Sequence, residues 1–554
     1  MRTLDWVVLA GSLVFIVTYG LYKSRGASTV NKYLLAGKTM PWYAMALSIM
    51  ATQAGAVTFI STTGQSYVDG MRFVQFYFGL PIAMVILSAT AVPIFHRAGV
   101  YTAYEYLEKR FDSKTRALAS VIFLIERGVS VGVSLYAPAI VLAVIFGWPD
   151  QVTTLIIGLL VIVYTVAGGI QAVTWTDVQQ MLIIFSGLLV AMVMVILLLP
   201  PDVSLYDAVF LAGKAGKLNA VDLKFDWNSR YNVWSGLIGG MFLALAYFGC
   251  DQSQVQRYLT GKSIAQSKLS LLFNATAKVP MQFFILFVGA MVFVFYIFER
   301  PPVLFERPAM LRLEAAGAYP AVKNRFDRAF EARREAAGSL IAARRAGDSQ
   351  KQTVAIEGYR AAQKELDTAR RDGGALVDKG FNDTNYIFLS FVTKYLPAGV
   401  VGLIIAVIFA AAMSAISGEV NSLATVTVID IYKRHLYRGG TDGHYLLASR
   451  VATAFWGLYA VMFAQFGKNL GSLIEAVNRL GSLFYGSLLG VFTLAFFFPR
   501  AGGTGAFVGM IVAEIAIFAA YLFTGISFLW YNVIGCVAVV GTGLLLGRDA
   551  PKPR

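Results

Sequence analysis

The chain has 554 residues, of which 57% are hydrophobic and 14% charged, with a formal net charge of +15 and a mean hydropathy of +0.63. A soluble domain carries about 25% charged residues, so this composition excludes an ordinary soluble enzyme and a disordered chain. It predicts an all-α polytopic membrane protein with the lipid bilayer as its first partner. Two cysteines, Cys250 and Cys536, are too few and too far apart in sequence for a disulfide framework or a cysteine metal site.

Long apolar runs follow one another along the chain. A helix needs about 20 apolar residues to cross the hydrocarbon core, and about thirteen runs approach that length. They cover residues 4–21, 40–62, 73–95, 117–146, 152–166, 176–199, 232–249, 267–298, 398–420, 444–466, 474–497, 505–523 and 526–546. We expect the first run to be an uncleaved anchor, because Asp5 lies near its start and Lys23 follows it directly.

Basic residues of the short loops all fall on one predicted side of the membrane. They are Lys23, Arg25, Lys32, Lys38, Arg97, Lys109, Arg110, Lys114, Arg116, Arg257, Lys262, Lys268, Lys433, Arg434, Arg438, Arg500, Arg548, Lys552 and Arg554. The positive-inside rule therefore predicts a multi-pass protein of the cell (inner) membrane, with its N terminus outside and its C terminus in the cytoplasm. Because topology explains the net positive charge, we expect no nucleic-acid partner.

Residues 299–382 form a charged segment with 16 Lys or Arg and 12 Asp or Glu. It falls on the outer side, which is consistent because long loops are translocated regardless of charge. Ala, Arg and Glu dominate residues 324–345 and 351–371, a pattern typical of a solvated helical hairpin. Its expected seam consists of Leu340, Ile341, Val354, Tyr359 and Leu366. We favour a surface hairpin without a ligand, and the alternative is a docking site for an extracytoplasmic partner.

Five stretches, in order along the chain, resemble the sodium:solute symporter family. They are residues 33–38 (YLLAGK) with Pro41-Trp42; 101–111 (YTAYEYLEKRF); Gly168-Gly169 with 175–177 (WTD) and Gln180; Asp251-Gln252 with 255–257 (VQR); and 411–414 (AAMS), 421–425 (NSLAT) and 430–432 (DIY). Each is weak alone, and their common order makes the resemblance specific. Residues 299–382 and the last apolar run lie outside it.

The resemblance implies a LeuT-like five-plus-five inverted repeat. Its expected segments are 1–39 (extra helix and cytoplasmic loop), 40–199 (first repeat), 200–231 (outer loop), 232–298 (start of the second repeat), 299–382 (charged extracytoplasmic insertion), 383–498 (remainder of the second repeat) and 499–554 (C-terminal helices and tail).

In this fold the first helix of each repeat is interrupted near the bilayer midplane, and substrate binds there. Candidate interruptions are the small and polar residues 51–56, and Gly239-Gly240 with Gly249-Cys250. The alternative is that these small residues serve close helix packing.

The resemblance also implies a sodium site, in which a helix break exposes backbone carbonyls. The implied ligands are the carbonyls of Ala51, Ala54 and Ala411 and the hydroxyl of Ser414. The family usually has a second hydroxyl at the next position, where this chain has Ala415. We expect water or Asp177 to compensate, or sodium to bind weakly. Asp177 has a second interpretation, as an interfacial cap at a helix N terminus.

Candidate substrate residues are polar side chains of the first core helices and a gate tyrosine implied by the resemblance. They are Gln53, Thr58, Gln75, Tyr77 and the gate residue Tyr247. A sugar-type pocket is not supported, because Thr58, Tyr77 and Ala244 stand where sugar-transporting members have polar groups that include an acid and an amide.

Three intramembrane charges complete the candidates. Arg127 can bind a carboxylate bidentately, which slightly favours an organic anion as solute; the alternative is that it pairs with another helix. Lys278 resembles a family lysine that lines the cytoplasmic half of the cavity, and Glu419 lies in the ninth apolar run. Because buried charges are costly, we expect Lys278 and Glu419 to pair with each other.

The leading functional hypothesis is a secondary active transporter that couples Na+ to symport of a small polar solute by alternating access. One alternative is a transporter-like sensor or receptor, and another is proton-coupled or uncoupled solute transport, suggested by Ala415. No catalytic constellation stands out, so we expect no enzyme and no cofactor, with Na+ as the coupling ion.

Overall fold

A computed structural model describes residues 2–23, 29–147, 149–465 and 472–547. Within these ranges it contains 22 α-helices and no β-strand. The helices are α1 (Thr3–Lys23), α2 (Val30–Leu35), α3 (Trp42–Gln53), α4 (Ala56–Asp69), α5 (Leu80–Ala89), α6 (Ala91–Ala98), α7 (Ala103–Arg110), α8 (Ser113–Phe146), α9 (Asp150–Leu197), α10 (Leu205–Lys214), α11 (Gly240–Gly249), α12 (Gln252–Leu259), α13 (Ile264–Phe298), α14 (Arg307–Glu314), α15 (Tyr319–Arg345), α16 (Ser349–Val377), α17 (Ile387–Tyr395), α18 (Val400–Val426), α19 (Asp442–Ala464), α20 (Leu473–Phe497), α21 (Gly503–Phe523) and α22 (Leu529–Leu546). Three parts of the sequence predictions lie outside the described residues: Arg25, the end of the tenth run at Phe466, and the basic tail residues Arg548, Lys552 and Arg554.

Ten stretches within the described ranges are long and apolar enough to cross a membrane. They are Thr3–Gly20, Ala56–Ala98, Ser113–Val141, Gly169–Leu197, Ile264–Phe298, Val400–Leu436, Asp442–Ala464, Leu473–Phe497, Gly503–Phe523 and Leu529–Leu546. Two shorter apolar helices, Gln151–Val163 and Ser235–Gly249, also coincide with predicted runs. The prediction of an all-helical polytopic membrane protein is therefore confirmed.

A sharp bend divides α9 into two helical parts. Gly169 has φ 57° and ψ −170°, a conformation that is accessible essentially only to glycine. A side chain at this position would also meet the ring of Tyr33 in α2. The bend separates the fifth and sixth predicted runs, and it places Asp177 eight residues into the helix that follows.

The first helix is packed into the membrane body. Helix α1 contacts α9 and α18. The carboxylate of Asp5 accepts hydrogen bonds from the backbone N–H groups of Gly399 (2.6 Å) and Gly402 (3.1 Å) at the start of α18. Because these amide groups lack partners within their own helix, Asp5 supplies a cap that a more apolar anchor would lack.

The charged segment forms a helical hairpin of α15 and α16 that packs on the rest of the chain. Four of the five expected seam residues are buried, whereas Val354 is 67% exposed, so its place in the predicted seam is wrong. The hairpin tip is held by Arg344 and Arg345, which pair with Asp207 at 3.2 and 2.6 Å. Its base is held by Arg370, which binds both carboxylate oxygens of Asp383.

Candidate functional site

The first core helix is broken where the sequence predicts. Helix α3 ends at Gln53, Ala54 (φ −98°, ψ 45°) and Gly55 (ψ 175°) leave the helical conformation, and α4 begins at Ala56. The last carbonyls of a helix have no partner within it, so the oxygens of Ala51 and Ala54 are available at this break. A side chain on Gly55 would approach the Cβ of Ala415 at 3.2 Å, which shows how closely the break lies against α18.

A second break lies between α11 and α12. Helix α11 ends at Gly249, and Asp251 (ψ 121°) begins α12 by accepting a hydrogen bond from the N–H of Ser253 at 2.8 Å. The predicted interruption at Gly249-Cys250 is thus present. At Gly239-Gly240 the chain remains helical, and Gly239 packs tightly against Leu529, so this part of the prediction is wrong. There the small residues serve close packing instead.

A cavity of about 100 Å³ lies between the two broken helices. Residues of the first break, of α11 before the second break, and of α8, α18 and α20 form its wall. The lining residues are Thr52, Gln53, Gly55, Ala56, Val57, Thr58, Phe76, Tyr77, Arg127, Ser134, Leu243, Tyr247, Ala412, Ala415, Glu419, Ile474, Val477, Asn478 and Tyr485. Convergent polar groups in a mostly apolar cavity are typical of a small-molecule site.

Two of the candidate sodium residues, Ser414 and Asp177, meet next to α3. Ser414 on α18 donates its hydroxyl to the carboxylate of Asp177. Ser48 on α3 donates to the other carboxylate oxygen at 2.5 Å. All three residues are buried. Asp177 therefore is not an interfacial cap: it joins three core helices through their hydroxyl and carboxylate oxygens.

Arg257 is the charged neighbour of this cluster. Its Nη1 lies 3.4 Å from Oδ2 of Asp177, and both side chains are fully buried. A side chain at Gly418 would overlap the Arg257 guanidinium, so the glycine makes room for it in α18. The sequence predicts Arg257 as a charge of a cytoplasmic loop, and the structure places it instead among the core helices as the counter-charge of Asp177.

The substrate candidates divide into two groups. Five of them line the cavity, namely Gln53, Thr58, Tyr77, Arg127 and Tyr247. Gln75 lies outside the lining, because its amide donates to the carbonyl of Tyr231 (3.1 Å) and accepts from the N–H of Asp222 (2.8 Å). Its hydrogen bonds tie the loop after α4 to the loop before α11, which is a structural role. Lys278 also lies outside the lining.

Arg127 is held by protein carboxylates. Its guanidinium donates to Asp251, to the hydroxyl of Tyr485 and, at 3.0 Å, to Glu419. Its Nε lies 3.5 Å from Glu126, and the guanidinium faces the ring of Tyr247 at 5.6 Å. The alternative that Arg127 pairs with other helices is therefore the one observed, and the predicted pair of Lys278 with Glu419 is wrong.

Lys278 lies behind Tyr77, with its ammonium 5.5 Å from the centre of that ring. It is fully buried and has no hydrogen-bond partner among the described residues. Asn274 lies one turn before Lys278 along α13 and Gln282 one turn after it, and both residues are likewise buried without a hydrogen-bond partner among the described residues. Unpaired buried polar groups at this spacing form a stripe that water can satisfy.

Sequence reasoning missed several groups of the site, above all Ser48, Arg257 and Tyr485. Ser48 lies three residues before Ala51 in an apolar run, a spacing that places both on one face of α3. Arg257 lies in the family-like stretch 255–257, but its position beside an apolar run does not reveal its partner. For Tyr485 the sequence gives no distinguishing signal, since a tyrosine within an apolar run is common.

A buried cavity between two interrupted membrane helices defines a multi-pass membrane transporter, and comparison with known proteins identifies its family. The model of the sodium:solute symporter family matches residues 33–318 and 369–513. The chain belongs to this family. Its members are sodium-coupled transporters and not enzymes, so the predictions of the family and of Na+ as coupling ion are confirmed. The residues between the two matched parts, 319–368, correspond to most of the α15–α16 hairpin.

Similar proteins span nearly the whole chain. The sodium/sialic acid symporter SiaT of Proteus mirabilis (strain HI4320) is 26% identical over 98% of this chain and 94% of its own. The sodium-dependent multivitamin transporter of Oryctolagus cuniculus is 28% identical over 99% of this chain and 72% of its own. A substrate-bound, outward-open structure of a Na+-coupled sialic acid symporter superposes with a TM-score of 0.77 at 26% identity, covering 99% of each chain.

Proposed function

We propose that this protein couples the inward movement of Na+ to the uptake of a small polar solute by alternating access. The observation that carries the proposal is the cavity between the two broken helices, with Gln53 to Thr58 of the first break on one side and Tyr247 of α11 on the other. Broken helices expose backbone groups only where they line such a cavity. A membrane potential of 100 mV adds about 2.3 kcal/mol per charge moved inward, which supports accumulation of the solute.

For sodium we propose the carbonyls of Ala51, Ala54 and Ala411 with the hydroxyl of Ser414 and the carboxylate of Asp177. Carbonyl, hydroxyl and carboxylate oxygens are the hard donors that suit a small cation. The hydrogen bond from Ser414 to Asp177 supports placing the carboxylate beside the hydroxyl ligand.

We further propose thirteen membrane crossings in two inverted repeats of five, with the segment boundaries given above. The ten long stretches, the two shorter apolar helices and the separation of α3–α4 from α5–α6 support this number. The N terminus and the hairpin would then lie outside and the C terminus in the cytoplasm. Because the hairpin is paired with Asp207 and Asp383 of its own chain, the proposal includes no extracytoplasmic partner.

The contacts of Arg127 change the class of solute that we propose. The sequence slightly favours an organic anion because of Arg127, and the relatives include transporters named for sialic acid and for vitamins. In this chain the guanidinium of Arg127 already forms ion pairs with Asp251 and Glu419. The preference for an anion therefore loses its structural support, and the small polar class remains.

The deciding experiment is solute uptake into proteoliposomes with and without an inward Na+ gradient. Sugars, carboxylates, amino acids and nucleosides form the panel, and we expect uptake of at least one solute to rise with Na+. Uptake that is indifferent to Na+ but follows a proton gradient would favour proton coupling. Ligand binding without any uptake would favour a sensor.

A further inference from the structure

We propose that the transported solute carries a protonated amine, and that Glu419 binds this ammonium group in the cavity. The inference rests on the proposed transport function, since it concerns the same cavity. Glu419 lies on α18, five residues after Ser414, and is only 4% exposed. Its Oε1 accepts from Arg127 at 3.0 Å, whereas its Oε2 has no hydrogen-bond partner among the described residues.

The charges around Arg127 do not balance. Glu126, Asp251 and Glu419 all lie within ion-pair distance of this single guanidinium, which gives the cluster a formal charge of −2. Adding Lys278, behind the ring of Tyr77, still leaves an excess of one negative charge. An excess buried charge is costly in a membrane, and a ligand that brings a positive charge reduces this cost.

Two hydroxyl groups of the cavity wall already donate to backbone carbonyls. Thr52 donates its hydroxyl to the carbonyl of Ser48 (2.9 Å), and Thr58 donates to the carbonyl of Gln53 (3.1 Å), so neither donor is free. The side-chain oxygen of Gln53 has no partner in the part of the chain described. Unpaired acceptors select a ligand that presents N–H groups, because a ligand without them leaves the acceptors unsatisfied.

Aromatic rings complete the fit. Phe76, Tyr77, Tyr247 and Tyr485 line the cavity, and ring faces attract cations. The same surroundings disfavour a carboxylate as the only charged group of a ligand. It would meet Glu419 directly, and Asp251, Glu419 and Tyr485 already take the terminal nitrogens of Arg127.

Pairs of isosteres test the proposal. Binding to the purified full-length protein in detergent with Na+ is measured by titration calorimetry for alaninamide against lactamide, alanine against lactate, and ethanolamine against ethylene glycol. In each pair an amine replaces a hydroxyl. We expect at least one amine to bind about tenfold or more tightly than its hydroxyl partner, and Glu419→Gln to abolish this preference.

Glu126→Gln is the matched control, because it removes the same charge from the same cluster at a residue outside the cavity lining. It should keep the preference within about threefold. Glu419→Asp retains the carboxylate and should keep part of the preference, which separates loss of the group from misfolding.

The proposal is overturned if no amine of the panel binds, if the hydroxyl partners bind equally well, or if Glu419→Gln retains the preference. Failure of this proposal can be distinguished from failure of the proposed function. Na+-driven uptake of a compound that has a hydroxyl group and no amine would refute only the claim that the solute carries an amine. Uptake of an amine that is independent of Na+ would refute only the claim that Na+ drives transport.

Discussion

At the scale of single residues, Ala415 is the position at which the proposed sodium ligands differ from those usual in the family, which has a hydroxyl there. The Cβ of Ala415 lies against Gly55, whose neighbour Ala54 provides one of the candidate carbonyls. Ala415→Ser should place a hydroxyl beside these oxygens and lower the Na+ concentration for half-maximal transport by about tenfold, the effect of roughly 1–1.5 kcal/mol from one added ligand. Sodium-activation curves in proteoliposomes measure this. An unchanged curve would indicate that Asp177 or water already fills the position.

Variants of Ser414 and Asp177 can show whether the sodium ion lies closer to the hydroxyl or to the carboxylate. Ser414→Ala removes a proposed ligand and leaves Asp177 with the hydroxyl of Ser48 and the charge of Arg257. We expect it to weaken sodium activation more than Asp177→Asn does. The opposite order would move the ion closer to the carboxylate. Both variants are compared in the same sodium-activation assay.

Asp177 also has a structural role that the assay must be controlled for. Asp177→Asn leaves the buried guanidinium of Arg257 without its counter-charge, so we expect a loss of about 3–5 kcal/mol in stability. The double variant Asp177→Asn with Arg257→Gln should recover part of that loss, because both charges are gone. Thermal unfolding in detergent measures both effects. Equal destabilisation in the single and double variants would mean that the ion pair does not carry the stability.

At the scale of helices, close packing at a glycine fixes how α4 meets the segment before α17. A side chain at Gly64 in α4 would overlap the carbonyl oxygen of Thr384. Gly64→Ala should therefore destabilise the protein by about 1–3 kcal/mol, because backbone must move to admit the methyl group.

Gly338 in α15 provides the matched control. It is exposed, and no atom lies within 4 Å of an added Cβ, so Gly338→Ala should stabilise its helix by up to about 1 kcal/mol. Unfolding midpoints of the two variants should therefore move in opposite directions. A fall for both would contradict the described surface of the hairpin.

At the scale of the whole molecule, the proposed topology places the hairpin and the loop after α18 on opposite sides of the membrane. Val354 is 67% exposed and Leu436 is 72% exposed, while both native cysteines are buried. A membrane-impermeant maleimide should label Val354→Cys in intact cells, and Leu436→Cys only after permeabilisation. The reverse pattern would invert the topology without affecting the fold.

Much of the fold could be read from the sequence because the bilayer imposes it locally. Apolar length determines the spans, and the small residues at 51–56 and at Gly249-Cys250 mark both breaks. The pair Gly239-Gly240 looks the same in sequence, yet it remains helical, since its neighbour Leu529 comes from a distant helix. Small residues serve breaks and close packing alike, and only the packed partner distinguishes the two uses.

The sequence by itself determined the class of the protein, its family and the positions of the apolar runs, because each depends on composition or on neighbours along the chain. The tertiary structure decided which charges meet. Arg127, predicted to bind the solute, pairs with Asp251 and Glu419 instead. Arg257, predicted in a loop, pairs with the buried Asp177. Electrostatic partners inside a membrane come from helices hundreds of residues apart, and the short range of a hydrogen bond makes their identity a property of packing rather than of sequence order.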